Sequence, residues 1–411
     1  MNRAMVRQLA PATAGTLTAM LPMETTPFLI SGSIRIGHLS VEAAGWIGTA
    51  SLAAVAAGSM LLSPLLGRIP LRRAAMAFSL MTMASYLLMA VAKSFLAFMI
   101  LAIAAGGACG CLLACMAMVV AATPDPDRSY GIIYASTGIF FAALLFLLPT
   151  VGELVSPAMM FVLIAAVALL AFPILSRVRV GGDVGDAGSG IEPASINWAW
   201  VGLLIFVMSI AFPVYGGTYG FAERKAVEVG LTSVQAGMVI SMATLLSIVG
   251  TVCVATVGTR FGRLAPTLTV MIVATVAYGL TLRSTDPTGF IIGFLIFGLM
   301  QLALNAYFFG LASALDREGR VAALLQGYSL IPYALGPGIF GSLTEGGALT
   351  SLAAPAVVIN LVATGLLLPM LIALDRRAGF GGRAWERSPA SCQDAASVPA
   401  TSAVRGSSRG R

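Results

Sequence analysis

The chain has 411 residues, of which 58% are hydrophobic and only 10% charged, with a mean hydropathy of +0.93. Soluble domains carry about a quarter charged residues, so a water-soluble fold is excluded and an integral membrane protein is expected. The net charge of +7 would suit a nucleic-acid partner, but the positions of the basic residues argue for a different origin.

A spanning helix needs about 20 mainly apolar residues. Twelve such segments can be placed, at 10–33, 43–66, 74–92, 95–122, 130–152, 157–176, 197–219, 233–258, 265–282, 288–313, 321–343 and 351–374. Lipid tolerates only helices or a closed barrel, because every backbone group must be bonded internally, and unbroken runs of this length select helices. When the loops are assigned alternately to two sides, Arg35, Lys93, Arg224, Lys225 and Arg283 fall on one side. The remaining nineteen of the 24 basic residues fall on the other. This bias puts both termini in the cytoplasm of a cell (plasma or inner) membrane protein, and no nucleic-acid partner is required.

The first segment holds the most unusual residue. Glu24 is the one acidic residue deep inside a long apolar run, with Pro22 and Pro27 on either side of it. A carboxylate at bilayer depth is costly and usually faces a cavity, a partner or an ion path. On a helix, Thr13, Met20, Glu24 and Ser31 share a face. Glu24 is read either as a structural carboxyl bonded to a neighbouring helix or as a proton carrier or substrate ligand. Arg3 and Arg7 ahead of this run could mark a cleaved signal peptide, a reading set aside because the segment has a counterpart in the second half.

The second segment presents Ser51, Ala54 and Gly58 on one face, which suits close helix approach. The turn that follows reads Ser63-Pro-Leu-Leu-Gly67-Arg68-Ile-Pro70-Leu71-Arg72-Arg73. A shift of 192 places it on Ala255-Thr-Val-Gly-Thr259-Arg260-Phe-Gly262-Arg263, with Arg68 on Arg260. The same shift puts Leu39 on Leu231, Gly45 on Gly237, Gly106 on Gly298 and Arg128 on Arg320. A single offset that holds over this distance implies two six-helix halves.

This turn resembles the signature of the major facilitator superfamily, Gly-x-Leu-Ala-Asp-Arg-x-Gly-Arg-Arg between helices two and three, echoed between helices eight and nine. Leu65, Arg68 and Arg72 match in the first copy, and Arg260, Gly262 and Arg263 in the second. Ser63 and Pro70 replace glycines, Leu71 replaces an arginine, and the aspartate is replaced by Gly67 and Thr259. The resemblance covers about residues 8–375. It implies an all-α membrane protein of twelve helices in a 6+6 pseudo-symmetric fold, with halves at 1–176 and 197–375. A cytoplasmic linker at 177–196 joins them, and a disordered cytoplasmic tail follows at 376–411. In the family the aspartate belongs to a charge latch at the inward gate. The family's antiporter signature in helix five, Gly-Pro with spaced glycines, is absent, and a similar string, Gly336-Pro337-Gly338 with Gly341, lies in segment eleven.

Segment seven answers segment one, since Glu24 falls on Gly216 and Pro213 with Gly216-Gly217 interrupts the helix there. Paired interruptions at matching places point to a transport site. Helical phase adds Gln301 and Asn305 on segment ten, and Gln326 and Tyr333 on segment eleven. Thr244, Ser247 and Thr251 on segment eight are expected to bond their own helix. The expected cavity lining is therefore Met20, Ser31, Tyr134, Tyr215, Gln301, Asn305, Gln326 and Tyr333, around Glu24 as proton-coupling or substrate residue. A cytoplasmic gate is assigned to Arg68, Arg72, Arg128, Arg260, Arg263 and Arg320, which could bond the carbonyl ends of neighbouring helices or simply anchor the topology.

The lone His38 and five scattered cysteines offer no metal site, no cofactor and no catalytic cluster, so an enzyme is not expected. The chain lacks a Gly-x-x-x-x-Gly-Lys-Ser loop for ATP. The reading is a monomeric secondary transporter working by alternating access, whose partners are the lipid bilayer, a small-molecule substrate and protons. Glu24 would be neutral when closed to water and ionised when open. With no cation well inside any segment, neutral or cationic organic solutes fit better than strong anions. Proton-coupled efflux is the first reading and uptake of a small neutral nutrient the second. A non-transporting receptor or scaffold would tolerate loss of Glu24.

Overall fold

The structure is a computed structural model, and it describes residues 3–121, 123, 126–178, 197–257, 262–315, 320–344 and 347–377. Arg260, most of the expected linker and the tail beyond Arg377 lie outside the described residues, as do the side chains of Arg128 and Arg320.

Among the described residues every element is helical: α1 (Arg3–Glu24), α2 (Thr26–Gly37), α3 (Val41–Leu62), α4 (Leu71–Met89), α5 (Phe95–Ala121), α6 (Pro126–Leu154) and α7 (Ala158–Leu175) form the first group. The second comprises α8 (Trp198–Gly220), α9 (Ala222–Glu228), α10 (Ser233–Val257), α11 (Leu264–Arg283), α12 (Pro287–Leu315), α13 (Arg320–Leu343) and α14 (Ala353–Arg377). Short 3-10 turns at Ser63–Arg68 and Leu349–Leu352 complete the set. Since α1 and α2 together make one crossing and α9 extends α8, these are the twelve crossings of the expected fold. Among the described residues nine helices are long and apolar enough to span by composition alone. The other three crossings are the broken α1–α2 pair, α4 with Arg72 and Arg73 in its first turn, and α13 with its two internal prolines.

The packing repeats between the groups. In the first, α3 lies on α5, α4 on α5 and α7, and α1 on α7; in the second, α10 lies on α12, α11 on α12 and α14, and α8 on α14. The seam between groups repeats as well, with α3 against α13 and α6 against α10.

The offset of 192 survives down to single contacts. A Cβ built on Gly106 would lie 2.1 Å from the Ser51 carbonyl oxygen, and one on Gly298 would lie 2.5 Å from that of Ala243. Gly58 meets the Gly107 carbonyl in the same way (2.4 Å), and Gly250 that of Leu299 (1.9 Å). Across the seam, Gly45 meets the Pro337 carbonyl (2.4 Å) and Gly237 that of Leu145 (2.8 Å). In each pair both partners are 192 residues from their counterparts. Helices in lipid gain little from hiding apolar surface against each other, so such backbone approach at small residues sets which faces meet.

Gly336-Pro337-Gly338 with Gly341, the string displaced from helix five, is the place where α13 touches two helices at once. Pro337 has no N–H to offer the Tyr333 carbonyl four residues back, and Gly216 of α8 packs there, its would-be Cβ 2.1 Å from that oxygen. Gly338 lies against Trp46 and Thr49 of α3, and Gly341 against Val41 and Gly45.

Gly106 and its neighbour Gly107 provide a matched test, because a Cβ at Gly107 would meet nothing within 4 Å. Gly106→Ala is expected to lower the melting temperature of the purified protein, at about 1–3 kcal/mol of overpacking. Gly107→Ala should leave it unchanged or raise it, alanine being about 1 kcal/mol the better helix former.

Candidate functional site

The helix break at Glu24 follows from Pro27. Proline cannot donate to the Met23 carbonyl, and the Thr26 hydroxyl reaches that oxygen instead at 3.2 Å. Thr25 and Thr26 also return their hydroxyls to Leu21 and Pro22 (2.7 and 2.6 Å). Phe28 N donates to the Thr25 carbonyl (3.0 Å). The Glu24 carbonyl accepts from the Tyr219 hydroxyl at 2.8 Å, across the seam between the halves. The Glu24 Oε2 lies 3.5 Å from the same hydroxyl, at the limit of a hydrogen bond. The carboxyl thus points toward α8 of the other half, and among the described residues no ion pair involves it.

Around this point the structure gathers some of the expected residues and not others. Tyr215 is buried one helical turn from Tyr219, its ring 4.9 Å from that of Tyr333 and 5.6 Å from that of Phe297. Tyr215 and Gln301 also face a gap with Tyr278, Met300 and Leu304 that has no room for a water molecule. Met20 is half-buried against the core. Asn305 is half-buried, and its Nδ2 turns back to the Gln301 carbonyl of its own helix (3.4 Å). Tyr134 is 45% exposed and stacks on Tyr130, and Gln326 is exposed, so neither joins the aromatic group. Ser31 lies seven residues, about two helical turns, beyond Glu24 on α2, toward the end that carries Arg35. Thr244, Ser247 and Thr251 bond carbonyls of their own helix (3.0, 2.7 and 2.9 Å) as expected.

The two ends of the bundle differ. At the basic end, Arg68 and Arg72 are exposed. Arg263 donates from Nη1 to the Gly310 carbonyl of α12 (2.6 Å). Asp375 of α14 accepts from the backbone N–H of Arg263 (2.7 Å) and Leu264 (3.1 Å), capping α11. A carboxylate near this turn therefore comes from the last helix, while the signature position holds Thr259.

At the opposite end the halves are tied together. Arg35 of α2 donates to Glu223 Oε1 of α9 (2.8 Å) and to the Ser233 hydroxyl, which itself donates to Glu223 (2.8 Å). Trp46 Nε1 donates to Ser342 Oγ (3.1 Å), and Ser342 to Glu42 (2.9 Å). Thr49 accepts from Gly338 N (2.8 Å), and its counterpart 192 residues on, Ser241, donates to the Ala142 carbonyl (2.5 Å). These bonds between the halves lie between the level of Glu24 and this end.

Sequence reasoning missed Tyr219 and Glu223. Tyr219 could have been found from its four-residue spacing to Tyr215 on the same helix face. Glu223 sits in a stretch that reads as a loop, and its burial (2% exposed) comes from α9 folding against the neighbouring helices, for which the sequence carries no period.

A two-half bundle of twelve membrane crossings, with a helix break and a carboxyl at the seam, defines a multi-pass membrane protein. The chain belongs to the Major Facilitator Superfamily, whose family model matches residues 12–337. The nucleoside transporter NupG is similar in structure, with a TM-score of 0.73 at 12% identity, covering 89% of this chain and 99% of that one. A bacterial homolog to the human lysosomal transporter Spinster, in an inward-facing and occupied conformation, gives 0.64 at 14% identity and covers 92% and 96%. The human organic anion transporter MFSD10 gives 0.60 at 16% identity and covers 89% and 100%. At these identities the likeness is one of fold. No curated protein matches the sequence.

Glu223 is nearly fully buried, so removing its partner leaves an uncompensated charge, at about 3–5 kcal/mol. Arg35→Gln is therefore expected to open this end, lengthening the distance between probes attached at His38 and Thr232. Adding Glu223→Gln should recover part of the closure.

Proposed function

We propose that this chain is a proton-coupled secondary transporter of a small neutral or cationic organic solute, working by alternating access and running as an efflux pump. The family supports transport in general, and the carrying observation for the coupling is Glu24, a carboxyl held by a proline-made break at the seam and faced by tyrosines. Rocking of two bodies, 1–176 and 197–375, about this level would expose the carboxyl to one side and then the other. It would carry a proton through the closed step and release it into water. The positive-inside rule places the basic end in the cytoplasm, which makes this conformer closed toward the outside. The side chains Tyr215, Tyr333 and Gln301 offer ring faces and one amide, suited to an amphipathic solute without strong negative charge. The protein is taken to act as a monomer in the plasma membrane, with Arg68, Arg72, Arg128, Arg260, Arg263 and Arg320 guarding the inner mouth.

The test uses reconstituted vesicles and a solute chosen by thermal-shift screening. Wild-type protein should move it against its gradient when a pH difference is imposed. Glu24→Gln is expected to keep exchange at zero gradient and lose the gradient-driven component. Gradient-driven movement that survives the substitution unchanged removes Glu24 from the coupling.

A second outcome concerns the contact that holds the carboxyl's own backbone. Tyr219→Phe deletes the bond to the Glu24 carbonyl and should cost about 1–2 kcal/mol, read as a lower melting temperature with the far-ultraviolet spectrum unchanged.

A further inference from the structure

A cavity of about 340 Å³ lies at the end of the bundle opposite the basic one, separate from the Glu24 level. Its walls come from both halves: Ser31, Ile34 and Arg35 from α2, and Glu223, Arg224 and Glu228 from α9. It reaches the surface beside Val227, which is 43% exposed. Its volume falls within the range of small-molecule pockets.

Two of its polar groups have no partner. Ser31 is 6% exposed, lines the cavity, and its hydroxyl makes no hydrogen bond. A buried hydroxyl left unbonded costs about 1–3 kcal/mol, and helix packing alone does not require a serine here. Arg224 is half-buried, and no described residue accepts from its guanidinium or pairs with it. The other charges are occupied. Glu223 is held by Arg35 and Ser233. Glu228 is held by Lys225 (2.8 Å) and approached by the Thr350 hydroxyl and Leu349 N (both 3.4 Å). Arg35, Arg224 and Lys225 against Glu223 and Glu228 leave one positive charge, and it belongs to Arg224.

We infer that this cavity is a second ligand site, taking a small organic monocarboxylate whose anionic group bonds Arg224 and the Ser31 hydroxyl and whose apolar body lies on Ile34 and Val227. The guanidinium supplies the planar fork that carboxylates fit. Because one wall belongs to each half, the bound anion bridges the seam and favours the closed state of this end by its difference in affinity for the two states. The site is distinct from the proposed transport site, around which no described cation pairs with Glu24, and it does not depend on Glu24 acting in coupling.

Sodium benzoate serves as the probe and benzamide as its neutral isostere, each titrated into the full-length protein in nanodiscs by calorimetry. Benzoate is expected to bind with one site, and benzamide at least about tenfold more weakly, as loss of a charge-assisted bond implies. Arg224→Gln should weaken benzoate by about the same factor, and Arg224→Lys should restore part of it. Ser31→Ala tests the other contact in a variant that removes only an unbonded hydroxyl, and it should weaken benzoate severalfold. Equal binding of benzoate and benzamide overturns the inference, as does wild-type affinity in both Arg224→Gln and Ser31→Ala.

Discussion

Close backbone approach at glycine is the constraint on which the rest of this bundle depends. Apolar surface offers little preference for one helix over another in lipid, so packing geometry decides. Gly106 on Ser51 and Gly298 on Ala243 set the same crossing inside each half, and Gly45 on Pro337 and Gly237 on Leu145 set the same crossing between them. The seam is therefore made of backbone against backbone, which leaves side chains such as Thr49 and Ser241 free to bond across it.

Proline works with glycine in this scheme. Pro27 and Pro337 each leave a carbonyl short of its helical donor, and the chain uses the two vacancies differently. On α13 the Tyr333 carbonyl is covered by the bare Cα of Gly216, bringing α8 and α13 together. On the first crossing the Met23 carbonyl is met by Thr26, and the rotated Glu24 carbonyl takes Tyr219 from the other half. One defect produces a tight packing point and the other a polar one.

The bundle is unequal from end to end. At the end carrying α9, Glu223 is paired with Arg35 and Ser233, which draws α2 against α9 and α10. At the basic end the described arginines are exposed or, like Arg263, bonded within their own half. Ionic contacts in a half-wet rim form and break with the solvation of their members, whereas the glycine crossings inside each half do not.

The sequence alone determined the membrane class, the twelve crossings and the repeat, because hydropathy, helix length and a constant offset are properties of the linear chain. It also marked Glu24, since a carboxylate stands out against an apolar background, but the interruption expected at Pro213 and Gly216-Gly217 does not occur: α8 runs unbroken from Trp198 to Gly220, and the two glycines instead admit Tyr333 and Phe340 of α13. Only the tertiary structure decided which residues meet Glu24. Tyr215, Gln301 and Tyr333 come near one another, while Tyr134 stacks on Tyr130, Gln326 is exposed, and Ser31 lines a cavity with Arg35. Glu223 was invisible for a related reason: a charged stretch reads as solvated loop until another helix is seen to bury it, and burial is a property of the partner surface rather than of the stretch itself.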